Sequence, residues 1–224
     1  MTIPSLKLTN ISKSYDNVPI LEDINIEFNK GMHAIIGKSG VGKSTFLYIA
    51  ALLHNADSGF IHIGDHSYNS SMLSSIKNLH KVRRNNMSVI YQNHYLMNDF
   101  SVIDNIAMPL FIRGENREYS FDKAYDLLKS INMHNKAKQN PQTLSGGESQ
   151  RVAILRSLIH DPDIIFADEP TGNLDQENTE IILDLLIEYM NKKSKIILIV
   201  THDNEIMQKT SNLYKIEHKK LMAV

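Results

Sequence analysis

The chain has 224 residues, a formal net charge of −1 and a hydrophobic content of 42%, which is enough apolar material for the core of one domain. The balanced charge disfavours a nucleic-acid partner, because proteins that bind nucleic acids more often carry a basic excess. The chain contains no cysteine, so disulfides and thiolate metal sites are excluded, and no apolar run approaches the roughly 20 residues that a membrane helix needs.

Strands and a glycine-rich loop are predicted for the N-terminal third. Alternating apolar residues indicate half-buried antiparallel strands at 6–12, 24–28 and 60–63. A short apolar strand at 33–36 comes before a glycine-rich stretch, and a helix is predicted after it at 45–53. Strand, glycine-rich loop and helix in this order place backbone N–H groups where they bind phosphate.

The glycine-rich stretch fits the phosphate-binding pattern G-x-x-x-x-G-K-[ST] at each fixed position. Glycines allow a tight turn and a close approach of the backbone to a ligand. Lys43 would then reach the β- and γ-phosphates, and the Ser44 hydroxyl would hold Mg²⁺. A simple glycine turn with an exposed lysine is the weaker alternative. The phosphate-binding residues predicted here are Gly37, Lys38, Ser39, Gly40, Val41, Gly42, Lys43, Ser44 and Thr45.

The rest of the chain is predicted to be helical in the middle and to alternate between strand and helix at the end. Residues 92–160 are mostly helical, with the clearest helices at 121–131 and 148–159. The last third is predicted to form a strand, a helix and a strand at 164–167, 177–190 and 196–200. Both strands are continuously apolar, so we expect them to be buried on both faces of a parallel sheet. The predicted fold class is α/β, with a parallel core, an antiparallel flap before it and a helical insertion within it.

Four polar residues follow predicted apolar segments and are candidates for catalysis. Asp168 ends a strand, where it suits a Mg²⁺ contact made directly or through water. Glu169 follows it and could polarise an attacking water as a general base. His202 could hydrogen-bond the γ-phosphate and hold that water, and Gln92 is long enough to reach Mg²⁺ or the water. Each residue alone has an ordinary structural alternative, and the phosphate-binding loop upstream favours the catalytic interpretation.

A second phosphate-binding element is predicted at 144–148. Ser145 and Glu148 form the capping-box pattern S-x-x-E, which starts a helix. That pattern does not explain Gly146 and Gly147, because glycine in a helix costs about 1 kcal/mol relative to alanine. A phosphate that approaches the exposed N–H groups would explain them. We expect that one chain cannot bring both elements to one nucleotide, and that two chains related by two-fold symmetry can.

Together these motifs resemble the nucleotide-binding domain of ATP-binding cassette (ABC) transporters over nearly the whole chain, at about 6–221. The resemblance implies Walker A at 37–45, the signature at 144–148, Walker B at 164–168 and the D-loop at 173–175, which includes Asp175 among the ATP-binding residues. It also implies single-residue roles: Tyr15 as the adenine-stacking aromatic, Gln92 as the Q-loop, Glu169 as the catalytic base and His202 as the switch histidine.

The same resemblance implies an architecture and a cycle. The fold would be a P-loop NTPase of ABC type that forms one domain over 1–224, with 1–91 and 161–224 as a RecA-like core plus β subdomain and 92–160 as a helical subdomain. ATP and Mg²⁺ would be the cofactors. Two chains would form an ATP-dependent homodimer with each ATP between Walker A of one chain and the signature of the other. The expected location is cytoplasmic, peripheral on the inner face of the cell membrane.

The helical insertion is expected to contact an integral-membrane permease. The residues proposed for that surface are Tyr95, Leu96, Phe100 and Met108. For each of them, the interior of the helical lobe is an equally good interpretation.

The segments 101–110 and 168–175 resemble the branch of lipoprotein-release, macrolide-efflux, cell-division and bacteriocin- or antimicrobial-peptide-handling ATPases. The implied function is the ATPase of an export or extrusion system for a peptide, lipoprotein or antimicrobial. The alternative is a non-transport ATPase of cell-division type, which signals through a membrane partner.

Overall fold

Two β-sheets and a set of helices make up the computed structural model, which describes residues 5–77, 79–172, 174–192, 195–210 and 212–224. The strands are β1 (Leu6–Tyr15), β2 (Val18–Phe28), β3 (Gly31–Ile36), β4 (Ser58–Ile63), β5 (His66–Asn69), β6 (Met87–Ile90), β7 (Ile164–Asp168), β8 (Ile196–Val200), β9 (Asn212–Glu217) and β10 (Lys220–Ala223). The helices are α1 (Lys43–Ala50), α2 (Leu79–Asn86), α3 (Val102–Arg113), α4 (Arg117–Ser130), α5 (Gly146–Leu158), α6 (Gln176–Lys192) and α7 (Asn204–Lys209). Short 3₁₀ turns cover Leu73–Ser75, His134–Lys136 and Pro141–Thr143.

The first sheet is antiparallel, in the order β2-β1-β4-β5, and confirms the predicted N-terminal flap. Leu6 and Leu8 of β1 are buried and Lys7 between them is exposed, as the alternating sequence pattern predicts. The hairpin between β1 and β2 was not predicted. Its turn consists of Asp16 and Asn17, and β2 begins directly after them at Val18. Both residues have positive φ, 48° and 63°, which is the two-residue turn whose twist matches a β-hairpin.

The second sheet has the order β10-β9-β3-β8-β7-β6. Four of its five pairings are parallel, and the β9–β10 hairpin at one edge is antiparallel. All residues of β7 and β8 are buried, which confirms the prediction from their continuous apolar runs. Because β3, β8 and β7 are parallel neighbours, their carboxyl ends lie at one edge of the sheet. That edge is where ligands bind in open α/β sheets.

Helices α3, α4 and α5 form a separate apolar cluster between β6 and β7 in the chain. The predicted helix at 121–131 begins earlier, at Arg117, because the Asn116 side chain accepts hydrogen bonds from the N–H groups of Glu118 and Tyr119. Helix α3 was not predicted individually, although Ser101 caps it. The predicted subdomain boundaries at 92 and 160 lie on either side of these helices. That these two positions are subdomain limits stays a prediction. None of the helices in the described ranges has the length and hydropathy of a membrane span.

Phe28 joins the two sheets. It lies at the end of β2, it is fully buried, and its ring makes edge contacts with residues of the second layer. Ring centroids lie 5.2 Å away for His33, 6.2 Å for Phe46 and 5.3 Å for Tyr214. Edge-to-face aromatic contacts of this kind add to the stabilisation from burial alone.

We therefore expect Phe28→Ala to lower the free energy of unfolding by about 3–5 kcal/mol, measured by urea denaturation. Phe60→Ala is the matched control, because Phe60 is exposed on β4 and its loss should cost about 0.5 kcal/mol or less. Equal effects of the two substitutions would contradict the role of Phe28 in joining the sheets.

Candidate active site

The glycine-rich loop lies between β3 and α1 and requires its glycines for steric reasons. Gly37 has φ of 152°, and a Cβ there would lie 2.9 Å from the carbonyl oxygen of Ile216. Gly42 has φ of 105°, and a Cβ there would lie 2.5 Å from Cγ2 of Ile20. Helix α1 begins directly after Gly42 with no side-chain cap and no acidic residue in its first turn. Its first N–H groups are therefore available to an anion.

Most residues of the loop face a cavity of about 650 Å³ at the edge of the second sheet. The Lys43 ammonium lies over the loop, where it donates to the carbonyl oxygens of Gly37 at 2.9 Å and Lys38 at 3.1 Å. Of the predicted loop residues, Lys38 and Val41 do not line the cavity in the described part of the chain. The cavity is lined by Tyr15, Ile20, Gly37, Ser39, Gly40, Gly42, Lys43, Ser44, Thr45, Gln92, Asp168, Glu169, Val200 and His202.

Asp168 is buried at the end of β7, and both of its carboxylate oxygens accept a hydrogen bond from α1. The Ser44 hydroxyl donates to Oδ1 at 3.0 Å, and the Tyr48 hydroxyl donates to Oδ2 at 2.7 Å. Burial raises the pKa of the Tyr48 phenol, and the hydrogen bond to Asp168 raises it further. Sequence reasoning missed Tyr48, although it lies four residues after Ser44 and so on the same face of the helix.

Glu169 and His202 meet across the carboxyl ends of β7 and β8. Glu169 adopts φ of 47°, a left-handed conformation that L-residues rarely adopt, and its N–H donates to the carbonyl of Val200 at 2.9 Å. Nδ1 of His202 lies 2.8 Å from Oε2 of Glu169. Oε2 is buried and accepts no well-aligned hydrogen bond from the described residues. The His202 ring therefore touches Oε2 of Glu169 without an aligned hydrogen bond. Such local strain is characteristic of functional sites.

Gln92 and Glu169 both lie next to Gly172. A Cβ on Gly172 would lie 3.4 Å from Cβ of Glu169 and 3.6 Å from Nε2 of Gln92. The structure therefore brings Gln92, Asp168, Glu169 and His202 to the cavity that the loop lines, as the sequence predicted. Their catalytic roles stay predictions.

Helix α5 is hydrogen-bonded to the segments that follow Gln92 and Glu169, through contacts that sequence reasoning missed. Gln150 accepts at Oε1 from Nδ1 of His94 at 2.6 Å and donates from Nε2 to the carbonyl of Pro170 at 2.8 Å. Since Gln150 donates through Nε2, His94 carries a proton on Nδ1. The Arg156 guanidinium donates to the carbonyls of His94 at 2.7 Å and Tyr95 at 2.8 Å. These bonds connect the segment after Gln92 to the residue after Glu169.

Tyr15 lies at the rim of the cavity, where 46% of it is exposed. The Lys13 ammonium lies 5.1 Å from its ring centroid, within range of a cation–π contact. The exposed ring face suits stacking on a flat heterocycle.

The signature residues form the start of α5 at a distance from the cavity. Ser145 caps the helix and forms a full capping box with Glu148. The Ser145 N–H donates to Oε2 of Glu148 at 2.9 Å, and the Glu148 N–H donates to Oγ of Ser145 at 3.3 Å. The Lys136 ammonium pairs with Glu148 and holds the pKa of that carboxyl below its usual value. Within the described residues, none of 144–148 lines the cavity, so one chain does not bring both elements to one site.

The two signature glycines have different surroundings. A Cβ on Gly147 would lie 2.6 Å from Cγ and Oδ1 of Asn178, so packing accounts for this glycine without any ligand. A Cβ on Gly146 would meet nothing within 4 Å. Packing against Asn178 is therefore a sufficient reason for glycine at 147, and the phosphate contacts of both glycines stay predictions.

Asp175 organises the start of α6. Its Oδ1 accepts from the N–H and from Nδ2 of Asn178, each at 2.8 Å, and the bond from the backbone lowers the pKa of Asp175. The Arg151 guanidinium donates to Oδ1 of Asn178 at 2.7 Å and connects α6 to α5. Asp175 does not line the cavity among the described residues, and Asn173 of the predicted D-loop lies outside them.

The predicted permease surface is divided between surface and interior. Tyr95 and Phe100 are 65% and 43% exposed, which leaves both rings open to a partner. Met108 is half-buried, and Leu96 packs against the helical core, as the interior alternative expects.

Comparison with known proteins gives concordant results. The family model described as ABC transporter matches residues 21–172, more than half of the chain. The lipoprotein-releasing system ATP-binding protein LolD of Buchnera aphidicola is 41% identical over 96% of both chains. LolD of Treponema denticola is 39% identical over 92% of this chain and 90% of its own. Two dimeric structures of the cassette MJ0796, one of them in a post-hydrolysis state bound to ADP and Pi, match with TM-scores of 0.87 and 0.86 at 29% and 30% identity, over 96% of each chain.

The contrast between the two glycines can be measured as stability. Gly147→Ala should lower the free energy of unfolding by about 1–3 kcal/mol, because the new methyl group overpacks against Asn178. Gly146→Ala should be neutral or stabilise by up to about 1 kcal/mol, because alanine favours helix and has open space there. Asn178→Ala added to Gly147→Ala should recover part of the loss. A Gly147→Ala chain as stable as the wild type would contradict the packing explanation.

Proposed function

Since this chain belongs to the ABC transporter family, we propose that it is the ATP-hydrolysing subunit of a lipoprotein-releasing system that acts through a separate membrane permease. The ATPase activity follows from the family, and the lipoprotein substrate rests on one observation. That observation is the near-full-length similarity to LolD proteins at about 40% identity. It favours transport over the non-transport alternative of cell-division type.

Nucleotide binding is proposed for the cavity at the carboxyl ends of β3, β7 and β8. The adenine would stack on the exposed ring of Tyr15 at the rim. The phosphates would lie on the uncapped N–H groups at the start of α1, where the helix dipole favours negative charge. Lys43 would exchange its contacts with loop carbonyls for the β- and γ-phosphates.

The cavity offers the oxygen donors that suit Mg²⁺. Ser44 and Asp168 already lie in hydrogen-bond contact, and Gln92 lines the same space. One carboxylate with a hydroxyl and substrate phosphates is the usual ligand set for Mg²⁺, since this ion keeps several waters and rarely has an all-protein cage. Ser44, Asp168 and Gln92 would hold Mg²⁺ there, and the ion would supply positive charge that offsets the charge of the phosphates.

Glu169 is proposed as the general base. Among the described residues its Oε2 has no aligned donor, so it has a lone pair for the proton of an attacking water. The left-handed backbone at Glu169 directly follows the last residue of β7, and Glu169 lines the cavity with Asp168. His202 touches the same oxygen and is exposed, so its ring could turn from Glu169 toward a γ-phosphate. Gln92 would orient the water from the opposite side.

A homodimer is proposed as the hydrolytic form. In the part of the chain that the structure describes, Ser145, Gly146 and Glu148 do not line the cavity, so a second copy would have to place them over the nucleotide. The open backbone at Gly146 leaves room for a phosphate to approach the helix start. The dimeric state of the MJ0796 cassettes supports this arrangement. The complex would lie at the inner face of the cell membrane, with Tyr95 and Phe100 toward the permease.

Replacement of Glu169 by glutamine tests the catalytic proposal. Glu169→Gln should lower kcat by about 10²–10⁴-fold, because the amide cannot accept the proton. ATP binding should be retained, and light scattering should detect a dimer that accumulates with ATP. Glu27→Gln is the matched control, since Glu27 is exposed on β2 away from the cavity. Robust turnover by Glu169→Gln would remove this residue from its role.

Capture of the partner tests the transport proposal. The tagged Glu169→Gln chain, loaded with ATP, should co-purify from gently solubilised membranes with a multi-spanning permease that has a large outer domain. A lipoprotein should stimulate ATP turnover of the wild-type complex, and the same protein without acyl chains should not. Recovery of soluble proteins alone would favour the non-transport alternative.

A further inference from the structure

We propose that Tyr48 is a positioning residue that sets the carboxylate of Asp168 for its divalent cation. The inference rests on the proposed function, because it assigns a partner to the residue proposed to face Mg²⁺. It adds a residue that belongs to none of the sequence motifs described above.

The geometry links Tyr48 to one oxygen of a buried group. Asp168 is 6% exposed, so water contributes little to its solvation. Ser44 donates to Oδ1 and Tyr48 donates to Oδ2, and both donors stand on α1 one turn apart. Two donors on opposite oxygens fix the plane of a carboxylate, which a single donor would leave free to rotate.

The Tyr48 ring is itself held in place. His54 lies at 5.3 Å and Tyr91 at 6.0 Å between ring centroids. These rings line a separate surface cavity of about 510 Å³ with Tyr95. The ring therefore projects from that aromatic cluster toward the nucleotide cavity, with only its hydroxyl in contact with Asp168.

The two oxygens of Asp168 have different neighbours. The Tyr48 hydroxyl donates to Oδ2 at 2.7 Å, so that oxygen already has a protein donor from the aromatic cluster. Oδ1 is left as the oxygen that faces Ser44 and the proposed cation.

Loss of this hydrogen bond should weaken cation binding in particular. Mg²⁺ demands nearly ideal octahedral geometry, so its affinity is sensitive to the orientation of a carboxylate ligand. Groups that orient metal ligands typically change metal affinity by 10–100-fold when they are replaced. The Mg²⁺-free affinity for ATP should not change, because Tyr48 does not line the nucleotide cavity among the described residues.

Calorimetry on the full chain separates the effect of Mg²⁺ on ATP affinity from the Mg²⁺-free affinity. ATP affinity is measured with Mg²⁺ and with excess EDTA for the wild type, Tyr48→Phe and Tyr91→Phe. Tyr91→Phe is the matched control, because it removes a hydroxyl from the same aromatic cluster. Among the described contacts, that hydroxyl makes no hydrogen bond to Asp168. We expect the ratio of ATP affinity with Mg²⁺ to ATP affinity in EDTA to fall about tenfold in Tyr48→Phe. The ATP affinity of Tyr48→Phe in EDTA should not change, and Tyr91→Phe should match the wild type under both conditions.

Three results would overturn the inference. A Tyr48→Phe chain with the full Mg²⁺-dependent gain would show that the hydroxyl does not position Asp168. An equal loss with Mg²⁺ and with EDTA, or an equal loss in Tyr91→Phe, would show a general effect of the aromatic cluster. A wild-type chain without any gain from Mg²⁺ would remove the cation site itself, which is a failure of the proposed function.

Discussion

The hydrogen bond from Ser44 to Asp168 connects the two halves of the site across 124 positions of the chain. It is possible because β3 and β7 both pair in parallel with β8, which brings their carboxyl ends to one edge of the sheet. The loop after β3 supplies N–H groups and a lysine, and the residues after β7 supply carboxylates. Neither half contains the full chemistry, so the site depends on sheet order more than on any single motif.

Short-range rules predict one part of this site well. The glycine-rich loop is local in sequence, and its positive φ angles demand glycine whatever surrounds it, so the pattern alone locates it. The apolar runs of β7 and β8 likewise predict burial without reference to the rest of the chain. The hairpin turns at 16–17 and 218–219 escaped prediction because Asp, Asn, His and Lys occupy left-handed positions there without glycine.

The missed residues act over long sequence distances. Tyr48, Gln150 and Asn178 make their decisive contacts with Asp168, Pro170 and Gly147, which lie 120, 20 and 31 positions away. No periodicity or spacing rule connects such pairs, because they depend on how helices lie on the sheet. Gly147 adds a second reason. A glycine that leaves room for a ligand and a glycine that leaves room for a neighbouring side chain cannot be distinguished from the sequence.

The arrangement of α5 suggests why hydrolysis in one chain depends on a second. Gln150 and Arg156 bond this helix to the segment after Gln92 and to the residue after Glu169, so α5 is tied to the proposed catalytic edge of its own chain. Its first turn, with open space at Gly146, lies outside that chain's cavity. A nucleotide held between two copies would therefore touch the proposed catalytic residues of one chain and the first turn of α5 from the other. Because Gln150 and Arg156 bond each α5 to the segment after Gln92 and to the residue after Glu169, that first turn is linked through the helix to the proposed catalytic residues of its own chain.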